Sequence, residues 1–331
     1  MRISLCIAAF AFLAGPALSD VDRVIDQHIL PGYASFAHET KLLTDTASGC
    51  DLPSLRVAWN DSFDAWLGVS HLNFGPVESQ GRAVIIAFWP DGRGATPRSL
   101  AGLIADKDPI IGTAEGTAQI SVAARGLFAL EFLLYDPQFM PSEGASESYT
   151  CQLIAALSSD LAVLAASLES EWRGGYGKEL RTAGETGNQT FLSLREARQR
   201  LYTALMTGLE FNADQRLGRP LGTFDRPRPE RAEARRAGRS QRNVALSLAA
   251  MHTLATALSD APIPVTDAAF ERAIMLTDRL DDPDFAAANT MQGRFELEAL
   301  QQAVRSVSNA VQGEIGVALG VSAGFNSADG D

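Results

Sequence analysis

Cysteine and histidine are scarce in this chain of 331 residues, and the scarcity removes whole classes of chemistry. There are three cysteines, at 6, 50 and 151, and four histidines, at 28, 38, 71 and 252. No His-x-x-x-His pair and no zinc-type cysteine spacing occurs, so a metal centre has to be assembled from residues far apart in sequence. A Gly-x-Ser-x-Gly nucleophile elbow, a P-loop and a dinucleotide fingerprint are also missing. After the N-terminus, no stretch approaches the ~20 uninterrupted apolar residues that a transmembrane helix needs. Positive charge is short as well: 28 basic residues face 40 acidic ones, a formal net charge of −12. That balance argues against a general nucleic-acid binder.

What is present begins with a leader. Arg2, the apolar run from residue 3 to 13 and the small-x-small pattern Ala17-Leu18-Ser19 read as a signal peptide over residues 1–19. The mature chain is then expected to start at Asp20, to lack Cys6, and to lie in the periplasm of a Gram-negative bacterium. Cys50 and Cys151 remain, and in an oxidising compartment an even pair suggests a disulfide. Two separate buried thiols are the alternative, and a two-cysteine metal site without a nearby histidine fits less well.

The periodicity is helical almost throughout. A helix with a break or kink at Pro31 covers residues 21 to about 48, and Asp51 and Pro53 open a second one. Leu55, Trp59, Phe63 and Trp66 form its apolar stripe. The run from Arg82 to Asp91 fits a buried extended segment or a short helix equally well. An apolar helix containing Gly126, Phe128 and Glu131 ends near Tyr135, before Pro137. From Tyr149 to Trp172 apolar residues recur at steps of three and four, as in a helical bundle. A glycine-rich connection follows, and further helices start near 191, 239, 267 and 294. The expected fold is all-α, with one bundle over 20–175 and a second over 188–331.

Two features stand out against this background. Glu131 is a carboxylate in a helix that is apolar on every side, so it needs a partner, a proton or a metal. Between 216 and 242 nine arginines meet only Asp225, Glu230 and Glu233. One reading is a solvated loop with dispersed charge; the other places Arg239 or Arg242, beside Ser240 at a helix start, opposite Glu131 or an anionic ligand. The final Asp329-Gly330-Asp331 resembles a fragment of a calcium loop without its remainder.

Together these segments resemble the imelysin-like proteins, also called the imelysin peptidase family. The resemblance rests on Ile29-Leu30-Pro31-Gly32-Tyr33, Phe74-Gly75-Pro76, Phe88-Trp89-Pro90-Asp91, the Gly126 to Glu131 motif and Leu217-Gly218-Arg219-Pro220-Leu221-Gly222. Its most specific signature is the terminal Gly324-Phe325-Asn326-Ser327-Ala328-Asp329-Gly330-Asp331. It implies an envelope protein with two helical bundles and a functional site at their interface around a Gly-x-His-x-x-Glu motif. Family members have been described as metallopeptidases and linked to iron uptake.

Here the motif reads Gly126-Leu127-Phe128-Ala129-Leu130-Glu131, with Phe128 in place of histidine. Phenylalanine has no lone pair, so a metal-activated water loses a ligand. The resemblance therefore implies a non-enzymatic binding component of iron or haem uptake, with Glu131, Phe128 and Gly126 in its pocket. Arg82, Arg239, Ser240 and Arg242 are the candidate polar partners of Glu131, and Glu131 is the one candidate metal ligand. The bound species implied is iron, haem or zinc, and the partners implied are iron or haem uptake components of the envelope. A metallopeptidase with a ligand supplied by His252 or His71 is the alternative, and a partner-binding helical protein is a third.

Overall fold

Side-chain caps set the starts of the main helices. A computed structural model describes residues 20–142 and 147–321; the expected leader at 1–19 and the terminal 324–331 motif lie outside the described residues. The principal helices are α1 (Leu30–Ala47), α2 (Leu52–Leu67), α3 (Gly126–Tyr135), α4 (Tyr149–Glu171), α5 (Leu194–Glu210), α6 (Ser240–Leu258), α7 (Pro264–Asp278) and α8 (Met291–Val311). No β-strand occurs among the described residues, and the fold is all-α. Asp51 accepts from the Ser54 N–H at the start of α2 (3.0 Å), and Thr290 accepts from Gly293 at the start of α8 (3.0 Å). Ser193 caps α5 from Glu196 N–H, while the Glu196 carboxylate reaches back to Leu192 N–H at 2.7 Å. That cap is why this helix starts at Leu194.

Pro31 does not break the first helix. Residues 20–24 are α-helical, Ile25–Ile29 form a π-type turn, and α1 continues from Leu30 with Pro31 in its first turn. The wider turn accommodates a proline that lacks an N–H and would crowd the preceding turn. The run from Arg82 resolves as a short helix, Arg82–Ile86, followed by irregular chain through Trp89 to Asp91.

Helix α1 packs on α2 and α4, whereas α6, α7 and α8 pack in sequence, with α5 against α6 and α8. The segment before α1 turns toward the second set: Asp20 receives two hydrogen bonds from Arg198, at 2.6 and 3.0 Å, and Arg23 donates to the carbonyls of Ala257 and Ser259. Cys50 and Cys151, 101 positions apart in sequence, are disulfide-bonded, tying the α1–α2 connection to the start of α4. The aromatic stripe of α2 is core: Leu55, Trp59, Phe63 and Trp66 are all buried. Trp59 Nε1 also donates to the Leu127 carbonyl of α3 at 3.0 Å. The run Tyr149–Arg181 is long and apolar enough to cross a membrane by length and composition. In this fold α4 turns Leu153, Ile154, Leu157 and Leu161 into the core.

Candidate functional site

The site begins with a close backbone approach. Gly126 opens α3 with φ +70°, and a Cβ there would meet the carbonyl oxygens of Ile85 at 2.1 Å and Ile86 at 2.4 Å. Only glycine permits both the left-handed conformation and the approach of the Arg82–Ile86 helix end. Arg125, just before it, grips Asp160 of α4 through two hydrogen bonds of 2.9 and 2.8 Å. The first turn of α3 is therefore fixed on both sides.

Phe128 and Glu131 lie three residues apart, on one face of α3. Phe128 packs edge-on to Phe63 with ring centroids 5.4 Å apart and stacks on Trp89 at 6.4 Å. Glu131 is 1% exposed. Its Oε1 accepts hydrogen bonds from the backbone N–H groups of Arg236 (2.9 Å) and Ala237 (3.3 Å). These belong to a single 3-10 turn, Arg235–Ala237, entered through Ala234 at φ +47°. Glu131 thus caps a turn 105 residues away and fastens the arginine-rich loop to α3. Burial pushes its pKa up to about 7, against the opposing pull of Arg236 and the two N–H donors.

None of the four expected polar partners bonds to Glu131. Arg82 pairs with Glu171 at 2.6 Å, because its short helix is directed onto α4. Arg239 is 2% exposed and reaches α2: it donates to Asp64 at 2.6 Å and to the Asn60 carbonyl at 3.2 Å, and lies over the Phe63 ring at 4.4 Å. Arg242 pairs with the same Asp64. The Ser240 hydroxyl donates to the Glu233 carbonyl at 2.6 Å. The physical reason is packing: α6 starts at Ser240 and rests on α2, so these side chains meet the carboxylate of α2 and not that of α3. Arg236 offers Glu131 its backbone, while its guanidinium bonds Asp136 at 3.0 Å and covers the Phe132 ring at 3.7 Å.

Two cavities adjoin this arrangement. A cleft of about 370 Å³ is lined by Trp89, Asp91, Phe128, Glu131, Phe132, Glu230 and the arginines 219, 231, 235 and 236. A smaller cavity of about 210 Å³ is lined by Trp66, His71, Trp89, Phe128, Phe211, Arg216 and Ser247. Phe128 and Trp89 border both. In the smaller cavity, Arg216 Nε donates to Glu233 at 2.7 Å and its Nη1 to Ser247 at 2.9 Å, while Asn212 and Asn243 complete a buried polar network. His71 Nε2 and His28 Nε2 are 2.9 Å apart, and burial lowers the pKa of both, His28 to about 4.

A hydrolytic metal centre does not fit these residues. Phe128 carries no lone pair, and Glu131 Oε1 is engaged by two N–H donors. His252 is bound to Asp267 at 2.8 Å and stacked on Phe270, while His71 faces His28. Among the described residues no group of three or more His, Cys, Asp and Glu converges to hold a metal ion.

Sequence reasoning missed Trp89 as a site wall, and Asp64, Glu233 and Asp136 as the acids that take up the arginines. Glu233 was visible as one of three acids in the arginine-rich loop. The backbone donors of Arg236 and Ala237 leave no residue-type signal at all.

Comparison with known proteins agrees with this fold. An imelysin-like protein from Psychrobacter arcticum 273-4 superposes with a TM-score of 0.76 at 21% identity, over 92% of this chain and 96% of that one. A putative iron-regulated protein A precursor from Parabacteroides distasonis ATCC 8503 gives a TM-score of 0.70 at 12% identity, over 88% and 92% of the two chains. Iron-regulated protein A of Synechococcus elongatus is 25% identical over 226 residues, which span 65% of this chain and 57% of that protein. The family model for imelysin, Peptidase_M75, matches residues 29–311, a stretch that runs from α1 to the end of α8 and includes the Gly126 to Glu131 motif. The chain belongs to the imelysin family.

Proposed function

We propose that this imelysin is an exported envelope protein that binds a ligand in the cleft beside Glu131, as a non-enzymatic component of iron or haem acquisition. The observation that carries the reading is the state of the motif. Oε1 of its glutamate caps the Arg235–Ala237 turn, and the position three residues earlier is an aromatic wall. Such an arrangement shapes a cleft and holds its loop in place, and it presents no metal-bound water for hydrolysis. The link to iron is supported by the relatives called iron-regulated protein A. The leader over residues 1–19 supports export.

The test is iron, zinc and haem analysis of protein purified from its native envelope, followed by calorimetric titration with haem, Fe(III) and Zn(II). A blocking control is Gly92→Trp, since Gly92 lines the cleft and a Cβ added there meets nothing within 4 Å. Saturable binding of haem or iron that is lost in Gly92→Trp is the expected result. Binding that is indifferent to the block removes the cleft from the account, and no binding of any of these species removes the iron link.

A further inference from the structure

The acids of the cleft are already spent, and several of its arginines are not. Asp91 accepts hydrogen bonds from the N–H groups of Arg93, Ala95 and Thr96, holding the start of the Ala95–Asp106 helix. Glu131 holds the Arg235–Ala237 turn, and Glu230 pairs with Arg228 at 3.4 Å. Arg236 is matched by Asp136 outside the lining. Among the described residues, no carboxylate lies within ion-pair distance of Arg219, Arg231 or Arg235. Arg219 Nε is also buried without a hydrogen-bond acceptor, and its guanidinium sits over the Trp89 ring at 5.8 Å. Burial and then the nearby charge of Arg231 lower the Arg219 pKa, which is the direction expected for neighbouring cations with no anion between them.

We infer that the cleft receives a ligand carrying two or more carboxylates, held by Arg219, Arg231 and Arg235 and packed against Trp89. The inference rests on the proposed role of the cleft as the ligand site, and it adds the ligand's chemical class. Guanidinium forks match carboxylates in bidentate geometry, and three of them around one concavity suit several oxyanion groups better than one. A volume of about 370 Å³ equals roughly a dozen waters, more than a single inorganic anion occupies. The aromatic side chains of Trp89, Phe128 and Phe132 in the same lining offer apolar contact to the carbon skeleton of such a ligand.

The experiment is calorimetric titration of the full mature chain with citrate, tricarballylate, ferric citrate, inorganic phosphate, sulfate and the neutral trimethyl ester of citrate. The wild type is expected to bind the polycarboxylates, more weakly as salt rises, and to ignore the ester. The pair Arg231→Gln and Arg235→Gln is expected to weaken citrate at least tenfold with an unchanged melting temperature, and the corresponding lysine pair to recover part of the loss. Arg219→Gln gives an independent second variant. Ester binding equal to citrate, phosphate or sulfate binding equal to citrate, or an unchanged affinity in the glutamine pair overturns the inference. Iron-free tricarballylate binding to a protein that carries no iron or haem leaves the polycarboxylate site standing and removes the iron link. Fe(III) binding with no response to any polycarboxylate, the two-propionate haem included, does the reverse.

Discussion

Glu131 shows how one carboxylate can be costly to bury and still organise its surroundings. Its two backbone donors fix the loop, yet desolvation dominates and raises its pKa from 4.5 to about 7. Because the folded value lies above the unfolded one, the associated stability is fully present below about pH 4.5 and is lost as pH rises through about 7. Glu131→Gln keeps an oxygen acceptor for Arg236 and Ala237 and removes the charge. The stability of this variant relative to wild type is therefore expected to rise between pH 4 and 8, by on the order of 3 kcal/mol. Urea denaturation at several pH values checks this, and parallel curves for the two proteins would refute it. The buried His28 and His71 titrate in the opposite sense, and as they are common to both proteins their effect cancels.

Gly126 makes a second prediction at this scale. Gly126→Ala forces a Cβ against two carbonyl oxygens at φ +70°, so it is expected to destabilise by roughly 3 kcal/mol or more. A melting temperature unchanged from wild type would show that the α3 start relaxes freely. The motif glycine was legible in the sequence as part of a family pattern. Its reason was not, because Ile85 and Ile86 are about forty residues away and contribute only their carbonyls.

At the scale of elements, the joint between α2 and α6 rests on Arg239. The side chain is buried, bonds Asp64, Asn60 and Asn243, and lies over Phe63. Arg242 shares Asp64 but is largely exposed. Arg239→Ala is expected to cost about 3 kcal/mol, since it strands buried acceptors. Arg242→Ala is expected to cost under ~1 kcal/mol, because its pair is solvated. Chemical denaturation of the two variants separates them, and equal losses would contradict the assignment.

Helix boundaries were largely readable, because Asp51, Pro53 and the proline after Tyr135 act locally. The π-type turn at Phe211–Leu217 was not, and at Ile25–Ile29 Pro31 marked the place of an irregularity without giving its form. Which acid each arginine meets was likewise hidden: α6 had to be placed on α2 before Asp64 could be chosen over Glu131.

At the scale of the whole molecule, two sets of helices meet along α2, α3 and α6, and the arginine-rich loop crosses between them to reach Glu131. An acidic chain thereby concentrates positive charge at one concavity. The all-α class was legible from periodicity alone, and the family from scattered motifs. The loop's path was not, because it depends on a cap spanning 105 residues. The central claim, as proposed above, is that the motif shapes a binding cleft and does not serve peptidase chemistry. It is tested most directly by incubating the mature protein with unfolded protein substrates, with and without a metal chelator, alongside Glu131→Ala. The account predicts no chelator-sensitive cleavage by either protein; cleavage by the wild type that is abolished both by chelator and by Glu131→Ala would contradict it.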